Sequence, residues 1–569
     1  MRACFRCART LTLECSRTTS MQAAPVAGIP MRTATGVCLS SGMITMKRPL
    51  SLPRPTRLLV SALALCVAGW TGSMRAQEPS PQLLDPQLAV RTAVGGLTTP
   101  IGLAFLGAND WLVIEKDTGQ VKRVVDGNVA GTVLDLAVNS ASERGLLGIA
   151  LHPQFASNHF VYLFWSCRVA PPPAENPYVP TATRCSATPQ LGADTGDTLA
   201  TPLLGNRVDR FVWNGTSLVF DRNLVELRSF QHDAAPVPEG QGDEAQPERA
   251  NHDGGVIRFG HDGKLYVQFG DTGRRGQLQN LPSGPTSTGL GATVEDDQFG
   301  GPEADDAHFG GVILRLNDDG STPTDNPFFA AGAAMGGEVG ANVQKIFAYG
   351  VRNGFGMAVD PLSGHLWDQE NGEDAFDELN LVERGMNSGW IQFQGPSNRI
   401  GEFRQIETTS LHHEDFPNLQ QFRWGPERIA ATAEEAFARL FVLPGSHYSE
   451  PEFSWKYVLA PAGIGFLDSR ALGPQYRGDL FVGFSTFDTL DGPLFRFNLT
   501  GNRRKIAVED PLLSDRVMDN ATFHDMGEGE TLLFGTGFGI VTDIQTAPNG
   551  NLLVVSLASG NIYEIHRAR

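Results

Sequence analysis

Residues 255–271 read GVIRFGHDGKLYVQFGD: an apolar strand, a turn of glycine and polar residues, and a second apolar strand. The pattern is typical of a β-hairpin. It returns in five further places, at residues 101–116, 147–165, 355–370, 463–484 and 541–557. Six spaced copies of one hairpin indicate a radial repeat, in which each blade shields the strand edges of its neighbours. The sequence therefore predicts an all-β fold, a six-bladed β-propeller.

Long segments separate these hairpins, so several blades are expected to carry insertions. The insertions cover residues 166–250, 275–310, 395–450 and 500–538. We expect them on one rim of the propeller, because binding and catalytic residues are concentrated on loops that a rigid scaffold positions. A propeller alone does not define the chemistry, since this fold carries enzymes and binding proteins alike.

The N-terminal segment differs in composition from the rest of the chain. Residues 1–76 hold ten of the 45 Lys and Arg residues but one acidic residue, Glu14. Basic residues precede the apolar run 58–70, which is too short to span a bilayer comfortably. We therefore predict an upstream extension of the reading frame at 1–45, a signal peptide at 46–76 and the propeller domain at 90–567. The protein is then periplasmic or secreted, with no membrane span in the mature chain.

The remaining chain is strongly acidic. Without residues 1–76 it keeps 35 basic and 62 acidic side chains of the total 45 and 63. Such a surface repels nucleic acid and anionic lipid. It is compatible with Ca²⁺ sites and with a small neutral substrate.

Cysteine usage agrees with export. Five of the seven cysteines lie in the segment assigned to removal, which leaves Cys167 and Cys185 on either side of a proline-rich insertion. An even pair that closes one short loop in an exported protein indicates a disulfide. The alternative is a pair of buried free thiols.

The stretch ERGLLGIALHP at 143–153 resembles the GLLG-x-A-x-HP signature of the glucose/sorbosone dehydrogenase family. Further matches follow in the same order: 252–255, 265–271, 314–321, 325–327, 349–353, 370–372, 377–380, 385–390, 461–463 and 476–483. The resemblance covers roughly residues 90–567. Each piece alone is weak, but their common order is not expected by chance.

Sugar oxidation needs a base for the hydroxyl proton and an acceptor for the hydride. Histidine suits the base role, and a carboxylate on its second ring nitrogen fixes the tautomer. His252 and Asp271 lie at the two ends of one hairpin, so a tight turn brings them to the same rim. The resemblance implies that His252 is the general base and Asp271 its partner. It also implies that Arg352 and Asn353 lie beside cofactor and substrate, and that Glu143 lies near the substrate hydroxyls.

The family cofactor is pyrroloquinoline quinone (PQQ), which Ca²⁺ commonly bridges to the protein. The resemblance implies main-chain oxygen ligands at Gly372 and Glu373, and a second calcium at Asp377 and Glu378. The fifth blade departs from the family pattern, because it lacks the Lys and Arg that neutralise the cofactor carboxylates. Arg470 is the residue we expect to substitute there.

The first functional hypothesis is an exported PQQ- and Ca²⁺-dependent dehydrogenase acting on aldose sugars or related alcohols. Electrons would leave to a separate acceptor, a cytochrome or a quinone, because the chain has no CxxCH haem segment. The second is a Ca²⁺-dependent propeller hydrolase such as a lactonase. The third is a non-catalytic propeller that binds carbohydrate or protein.

Overall fold

The computed structural model of the chain describes residues 81–174, 181–229, 251–273, 309–409, 429–485, 492–523 and 525–568. The predicted upstream extension and signal peptide lie outside these residues. The described residues all belong to one unit of the chain, Glu78–Arg569. None of the helices in these ranges combines the length and the apolar composition that crossing a membrane requires.

The described strands form six sheets. Each sheet is numbered by the place in the chain of one of its edge strands, which we call its first strand and name first. Sheet 1 contains β3 (Pro100–Gly107), β4 (Asp110–Glu115), β5 (Gln120–Val125) and β6 (Asn128–Asp135). Sheet 2 contains β7 (Leu146–Leu151), β8 (Phe160–Ser166), β9 (Asn206–Trp213) and β10 (Leu218–Leu227). Sheet 3 contains β11 (Ile257–Phe259), β12 (Leu265–Phe269), β13 (Val312–Leu316), β14 (Ile346–Tyr349), β18 (Met386–Asn387) and β19 (His447–Tyr448).

The other three sheets include strands from distant parts of the chain. Sheet 4 contains β15 (Gly356–Val359), β16 (Leu366–Glu370), β17 (Ala375–Val382), β20 (Phe453–Tyr457) and β25 (Val517–Met518). Sheet 5 contains β21 (Pro461–Phe466), β22 (Leu480–Phe484), β23 (Leu494–Leu499), β24 (Ile506–Ala507), β26 (Leu533–Thr536) and β1 (Gln82–Leu83). Sheet 6 contains β27 (Val541–Thr546), β28 (Leu552–Ser556), β29 (Asn561–Arg567) and β2 (Leu88–Val94).

Helices are short and lie between strands. The α-helices are α1 (Phe155–Asn158), α2 (Phe329–Met335), α3 (Gly337–Val343), α4 (Ile400–Thr409) and α5 (Ala433–Arg439). Single turns of 3-10 helix occupy Ser397–Arg399, Pro474–Tyr476, Pro511–Leu513 and Gly527–Leu532. The helices α4 and α5 belong to the predicted insertion at 395–450, which therefore has regular structure of its own.

The first strands of the six sheets contact one another in a closed ring. Around it, β3 contacts β7, β7 contacts β11, β11 contacts β15, β15 contacts β21, β21 contacts β27, and β27 contacts β3. Each hairpin predicted from the sequence forms the first two strands of one sheet. The prediction of an all-β propeller is therefore confirmed.

The two ends of the propeller meet in sheet 6. The early strand β2 pairs antiparallel with β29, the last strand of the chain, with Leu88 opposite Arg567. A sheet that combines both ends of the chain closes the ring by main-chain hydrogen bonds, so that β2 covers the edge of the last sheet.

A separate apolar cluster fills each space between neighbouring sheets. One cluster joins sheets 1 and 2 through side chains such as Leu112 and Val161, and the next joins sheets 2 and 3 through Phe164 and Leu265. Four further clusters repeat this arrangement around the ring. Because the sheets are covered on both faces, middle strands such as β12, β16, β17 and β28 are buried along their whole length rather than on alternate residues.

Glycines allow the first strands to approach one another closely. A Cβ atom at Gly148 in β7 would overlap the carbonyl oxygen of Gly255, which leads into β11. The same holds for Gly356 in β15 against the carbonyl oxygen of Ala462 in β21. The close packing of these backbones excludes any side chain at such positions.

A disulfide joins Cys167 and Cys185 at a Cα–Cα distance of 6.1 Å. The sequence-based prediction of this pairing is confirmed, and the alternative of two free thiols is wrong. The bond closes the start of the long insertion between β8 and β9.

We predict that Gly148→Ala lowers the free energy of unfolding by about 3 kcal/mol, because the new methyl group must push two first strands apart. The matched control is Gly401→Ala in α4, where an added Cβ has no neighbour within 4 Å. That change should be neutral or slightly stabilising, since alanine favours helix. Thermal and urea unfolding of both variants check the prediction. Equal stability of the two variants would contradict it.

Candidate active site

The predicted site residues meet where the chain enters the first strands of sheets 2, 3 and 4. Glu143 precedes β7, His252 precedes β11, and Arg352 and Asn353 precede β15. Asp271 follows β12, the second strand of the central hairpin. The structure therefore brings together, from three sheets, the residues that the sequence predicted as base, partner and cofactor contact.

His252 and Asp271 form a direct hydrogen bond. The distance from His252 Nδ1 to Asp271 Oδ1 is 2.5 Å, and both side chains are buried. An ionised carboxylate only accepts hydrogen bonds, so Nδ1 is the donor. In the neutral ring the lone pair then lies on Nε2, which is the arrangement that a general base requires. His252 itself has a left-handed backbone, with φ of 57°.

The carboxylate of Asp271 accepts hydrogen bonds from three donors. Besides His252, Oδ1 accepts a hydrogen bond from Gly273 N at 2.8 Å, and Oδ2 accepts one from Trp390 Nε1 at 2.9 Å. Its own main-chain N–H donates to Arg352 O at 2.9 Å. Burial alone would raise the pKa of Asp271, but the charge and hydrogen bond of His252, followed by Arg352 and Trp390, hold it below its usual value. The carboxylate is therefore ionised across the physiological range.

Glu143 contacts the base through the main chain. Its Oε2 accepts a hydrogen bond from His252 N at 2.5 Å and a longer one from Asn353 Nδ2 at 3.4 Å. Glu143 thus links the entries of three first strands. The contact with substrate hydroxyls stays a prediction, because the observed partners of Glu143 are protein groups.

The neighbours of Glu143 and His252 in the sequence are buried anchors. Arg144 donates from Nη1 to Thr198 O at 2.7 Å, and Asp253 Oδ1 accepts from Asn206 Nδ2 at 2.7 Å. Burial raises the pKa of Asp253 to about 6. These contacts tie the site to the insertion that carries the disulfide. No sequence pattern predicts these contacts, because each depends on a partner far along the chain.

Arg352 is fixed by main-chain and aromatic groups. Its Nη1 donates to Asn371 O at 2.6 Å and to Gly372 O at 2.7 Å. Its guanidinium carbon lies 5.4 Å from the centroid of the Trp390 ring, within the range of a cation–π interaction. Asn353 Oδ1 is buried without a hydrogen-bond partner among the described residues.

The predicted calcium ligands lie in one loop and the strand that follows it. Gly372 O accepts from Arg352, and Glu373 Oε2 lies 4.0 Å from Arg352 Nη2. Asp377 accepts main-chain hydrogen bonds from Gly372 at 2.9 Å, from Leu459 at 2.5 Å and from Ala460 at 2.9 Å. Two main-chain oxygens, of Asn371 and Gly372, thus converge on one cationic group. Such oxygens also suit Ca²⁺.

The described residues hold no preformed cluster of three or more His, Cys, Asp or Glu with metal-binding geometry. Glu378, the other predicted ligand, accepts from Gly395 N at 2.6 Å and from Asn380 Nδ2 at 3.2 Å. The second calcium therefore stays a prediction.

Arg470 is not part of the site, which corrects its predicted role in cofactor binding. Asn371 Nδ2 contacts Pro461 O at the start of β21, so that end of the strand faces the site. Arg470 follows the other end, Phe466, and is exposed. A six-residue strand separates the two ends by roughly 17 Å. The turn that was expected to supply a cation therefore lies on the opposite face of the propeller.

A buried acidic group lies behind Arg352, and of its members only Glu378 was predicted as a site residue. Asp368 and Glu370 in β16 lie beside Glu378 in β17, with Asn380 Nδ2 donating to Glu370 at 3.1 Å. Burial raises the pKa of Glu370 to about 7. Glu370 Oε2 accepts from Arg352 N at 2.8 Å, so this group helps to place Arg352. Every residue of β16 and β17 is buried. The hydrophobic pattern of these strands therefore does not predict where their acidic residues meet.

We predict that Glu143→Ala raises the rate of amide hydrogen exchange at His252 about tenfold or more, because a donor to a charged acceptor loses its partner. Glu143→Gln is the matched control. Its side-chain carbonyl still accepts, so exchange should stay within about threefold of the wild type. Exchange measured by mass spectrometry on the peptide containing His252 checks this. Unchanged exchange in Glu143→Ala would show that the contact does not hold the backbone.

Comparison with known proteins gives a consistent result. A family model described as glucose/sorbosone dehydrogenase matches residues 97–184 and 241–418. The Synechocystis protein slr1608 is 28% identical over 334 residues, which are 56% of this chain and 64% of that protein. Quinoprotein glucose dehydrogenase B of Acinetobacter calcoaceticus is 26% identical over 318 residues, 54% of this chain and 52% of that protein. The chain thus spans between about half and two thirds of the length of these relatives.

A solved structure agrees at the level of the fold. The soluble aldose sugar dehydrogenase of Escherichia coli in its apo form superposes with a TM-score of 0.51 at 21% identity, covering 84% of this chain and 100% of that one. Together with the family match and the curated relatives, this agreement supports one assignment. The chain belongs to the glucose/sorbosone dehydrogenase family.

Proposed function

We propose that this protein is an exported PQQ-dependent dehydrogenase that oxidises aldose sugars or related alcohols. The observation that carries the proposal is the buried His252–Asp271 pair next to Arg352. A histidine with a carboxylate on Nδ1 is equipped to remove a hydroxyl proton, and a fixed guanidinium beside it can stabilise charge on an acceptor oxygen. The similarity to a quinoprotein glucose dehydrogenase supports the same chemistry.

In this mechanism His252 Nε2 takes the proton from the substrate hydroxyl. Asp271, ionised by its donors, stabilises the imidazolium that results and keeps Nδ1 protonated throughout. PQQ, when bound, supplies the acceptor for the hydride. Arg352 and Asn353 would hold the cofactor, and Glu143 fixes the backbone of His252 by accepting a hydrogen bond from its main-chain N–H.

Calcium would link cofactor and protein through main-chain oxygens of Gly372 and Glu373. The converging carbonyl groups of Asn371 and Gly372 fit a cation, since they already share one guanidinium nitrogen. Asp377 and Glu378 would hold a second, structural calcium, for which their oxygens must give up main-chain donors. Among the described residues of sheet 5, Arg470 and Arg496 lie away from the site, so Ca²⁺ and Arg352 would neutralise the cofactor carboxylates.

The proposed function also implies a substrate, an electron acceptor and a location. A small neutral sugar suits the acidic chain, and electrons would pass to a separate cytochrome or quinone. Export would place the reaction in the periplasm or outside the cell, where the Cys167–Cys185 disulfide is stable. We also infer that each of the six sheets is one blade around a common axis.

The scarcity of cations at the site favours one alternative, a Ca²⁺-dependent hydrolase such as a lactonase. It would use the acidic residues of the same site, next to which Glu370 and Glu378 are buried, and would need no quinone. Activity with Ca²⁺ alone separates this function from the dehydrogenase.

We predict saturable PQQ binding to the purified protein in the presence of Ca²⁺, with dye reduction on aldoses. Replacing the base by His252→Ala should lower dye reduction by about 10²- to 10⁴-fold, the usual contribution of a general base. His261→Ala is the matched control, because His261 is exposed in the hairpin turn at the other end of β11. Quinone absorbance and dye reduction are measured on both variants.

Two results would contradict the proposal. Absence of PQQ binding at micromolar concentration would mean that Arg352 and Ca²⁺ do not replace the missing cations. Full activity in His252→Ala would show that the proton leaves by another route.

A further inference from the structure

The indole of Trp390 contacts both Asp271, the partner of the proposed base, and Arg352. Its Nε1 donates to Asp271 Oδ2 at 2.9 Å, and its ring faces the guanidinium of Arg352 at 5.4 Å. The segment 385–390 matches the family pattern, but no catalytic or binding role was predicted for Trp390.

Trp390 is itself rigidly held. Its side chain is fully buried, and its main-chain N–H donates to Gly350 O at 3.0 Å. The ring packs in an apolar cluster with Phe393 and with Ile400 and Phe403 of α4. The packing around the indole restricts its movement, so its N–H keeps a fixed position in the site.

The plane of the Asp271 carboxylate turns about the Cβ–Cγ bond, and such a turn moves both oxygens. His252 and Gly273 oppose it at Oδ1, so a donor at Oδ2 adds a second point that restricts the same rotation. The Trp390 donor on Oδ2 supplies the second point. With both points in place, the Oδ1 lone pairs face His252 Nδ1 and fix the orientation of the imidazole ring.

We propose that Trp390 is a positioning residue. Its Nε1–H sets the plane of the Asp271 carboxylate and through it the orientation of His252, while its ring holds Arg352 beside them. The consequence for catalysis rests on the proposed function, but the effect on the orientation of His252 does not.

The test is Trp390→Phe, which keeps a buried aromatic ring and removes the N–H. The matched control is Trp455→Phe. Trp455 is equally buried, in the core between sheets 4 and 5, and its Nε1 has no hydrogen-bond partner among the described residues. In Trp390→Phe we expect kcat to fall about tenfold or more, as for loss of a hydrogen bond to a charged group, with KM for the sugar within about twofold. In Trp455→Phe both constants should stay within about twofold of the wild type.

A measurement independent of activity uses nitrogen NMR. The chain has 12 histidines and 8 tryptophans, so ¹⁵N labelling of either residue gives a countable set of ring signals, assigned by His252→Asn and Trp390→Phe. We expect the His252 ring signals to move in Trp390→Phe and to stay in Trp455→Phe. We also expect the Trp390 indole signal to move in Asp271→Asn, a measurement that does not need the Trp390 variant to fold.

The proposal is overturned if the Trp390 indole signal does not respond to Asp271→Asn. It is also overturned if folded Trp390→Phe leaves the His252 ring signals and kcat unchanged. If the wild type reduces no dye but the His252 signals still move in Trp390→Phe, the dehydrogenase function fails and the positioning role of Trp390 stands.

Discussion

The close contact of the six first strands in a ring is the constraint on which the rest of the structure depends. Where backbones meet, as at Gly148 against Gly255, no side chain fits, so the sheets cannot shift relative to one another without losing the contact. The apolar clusters between neighbouring sheets stabilise the same arrangement from the outside. Because these strands all enter the ring from one end, the segments before them meet there, and residues more than 200 positions apart come within hydrogen-bond distance, as Glu143 and Asn353 do.

Main-chain groups take part in many of the contacts of the site that forms there. Asp271 N donates to Arg352 O, Glu143 accepts from His252 N, and Arg352 donates to two carbonyl groups. Because the main-chain partners belong to strands and the segments next to them, they hold the side chains of the site against the rigid part of the fold. The left-handed backbone of His252 is tolerated because Glu143 and Asp271 hold the residue from both sides.

The sequence predicted what local chemistry determines. Six hairpins could be recognised because turn residues and apolar strands are signals within about 20 residues, and His252 and Asp271 could be paired because one hairpin joins them. Arg470 was misplaced because an argument based on the fifth blade alone does not say which end of β21 faces the site. Trp390 and Arg144 were missed because their partners lie far along the chain, where only tertiary packing brings them together.

Charge balance explains how such an acidic site can serve an anionic cofactor. Glu370 accepts a hydrogen bond from Arg352 N and lies beside Asp368 and Glu378 in sheet 4, and burial raises the pKa of Glu370 to about 7. A tricarboxylate placed against these residues would be repelled unless a cation lay between them. A carbonyl oxygen has two lone pairs, so the main-chain oxygens proposed for Ca²⁺, at Gly372 and Glu373, could bind that cation while Arg352 stays in place. In the proposed enzyme Ca²⁺ would then offset the charge of the cofactor, and Arg352 would keep its position beside the His252–Asp271 pair.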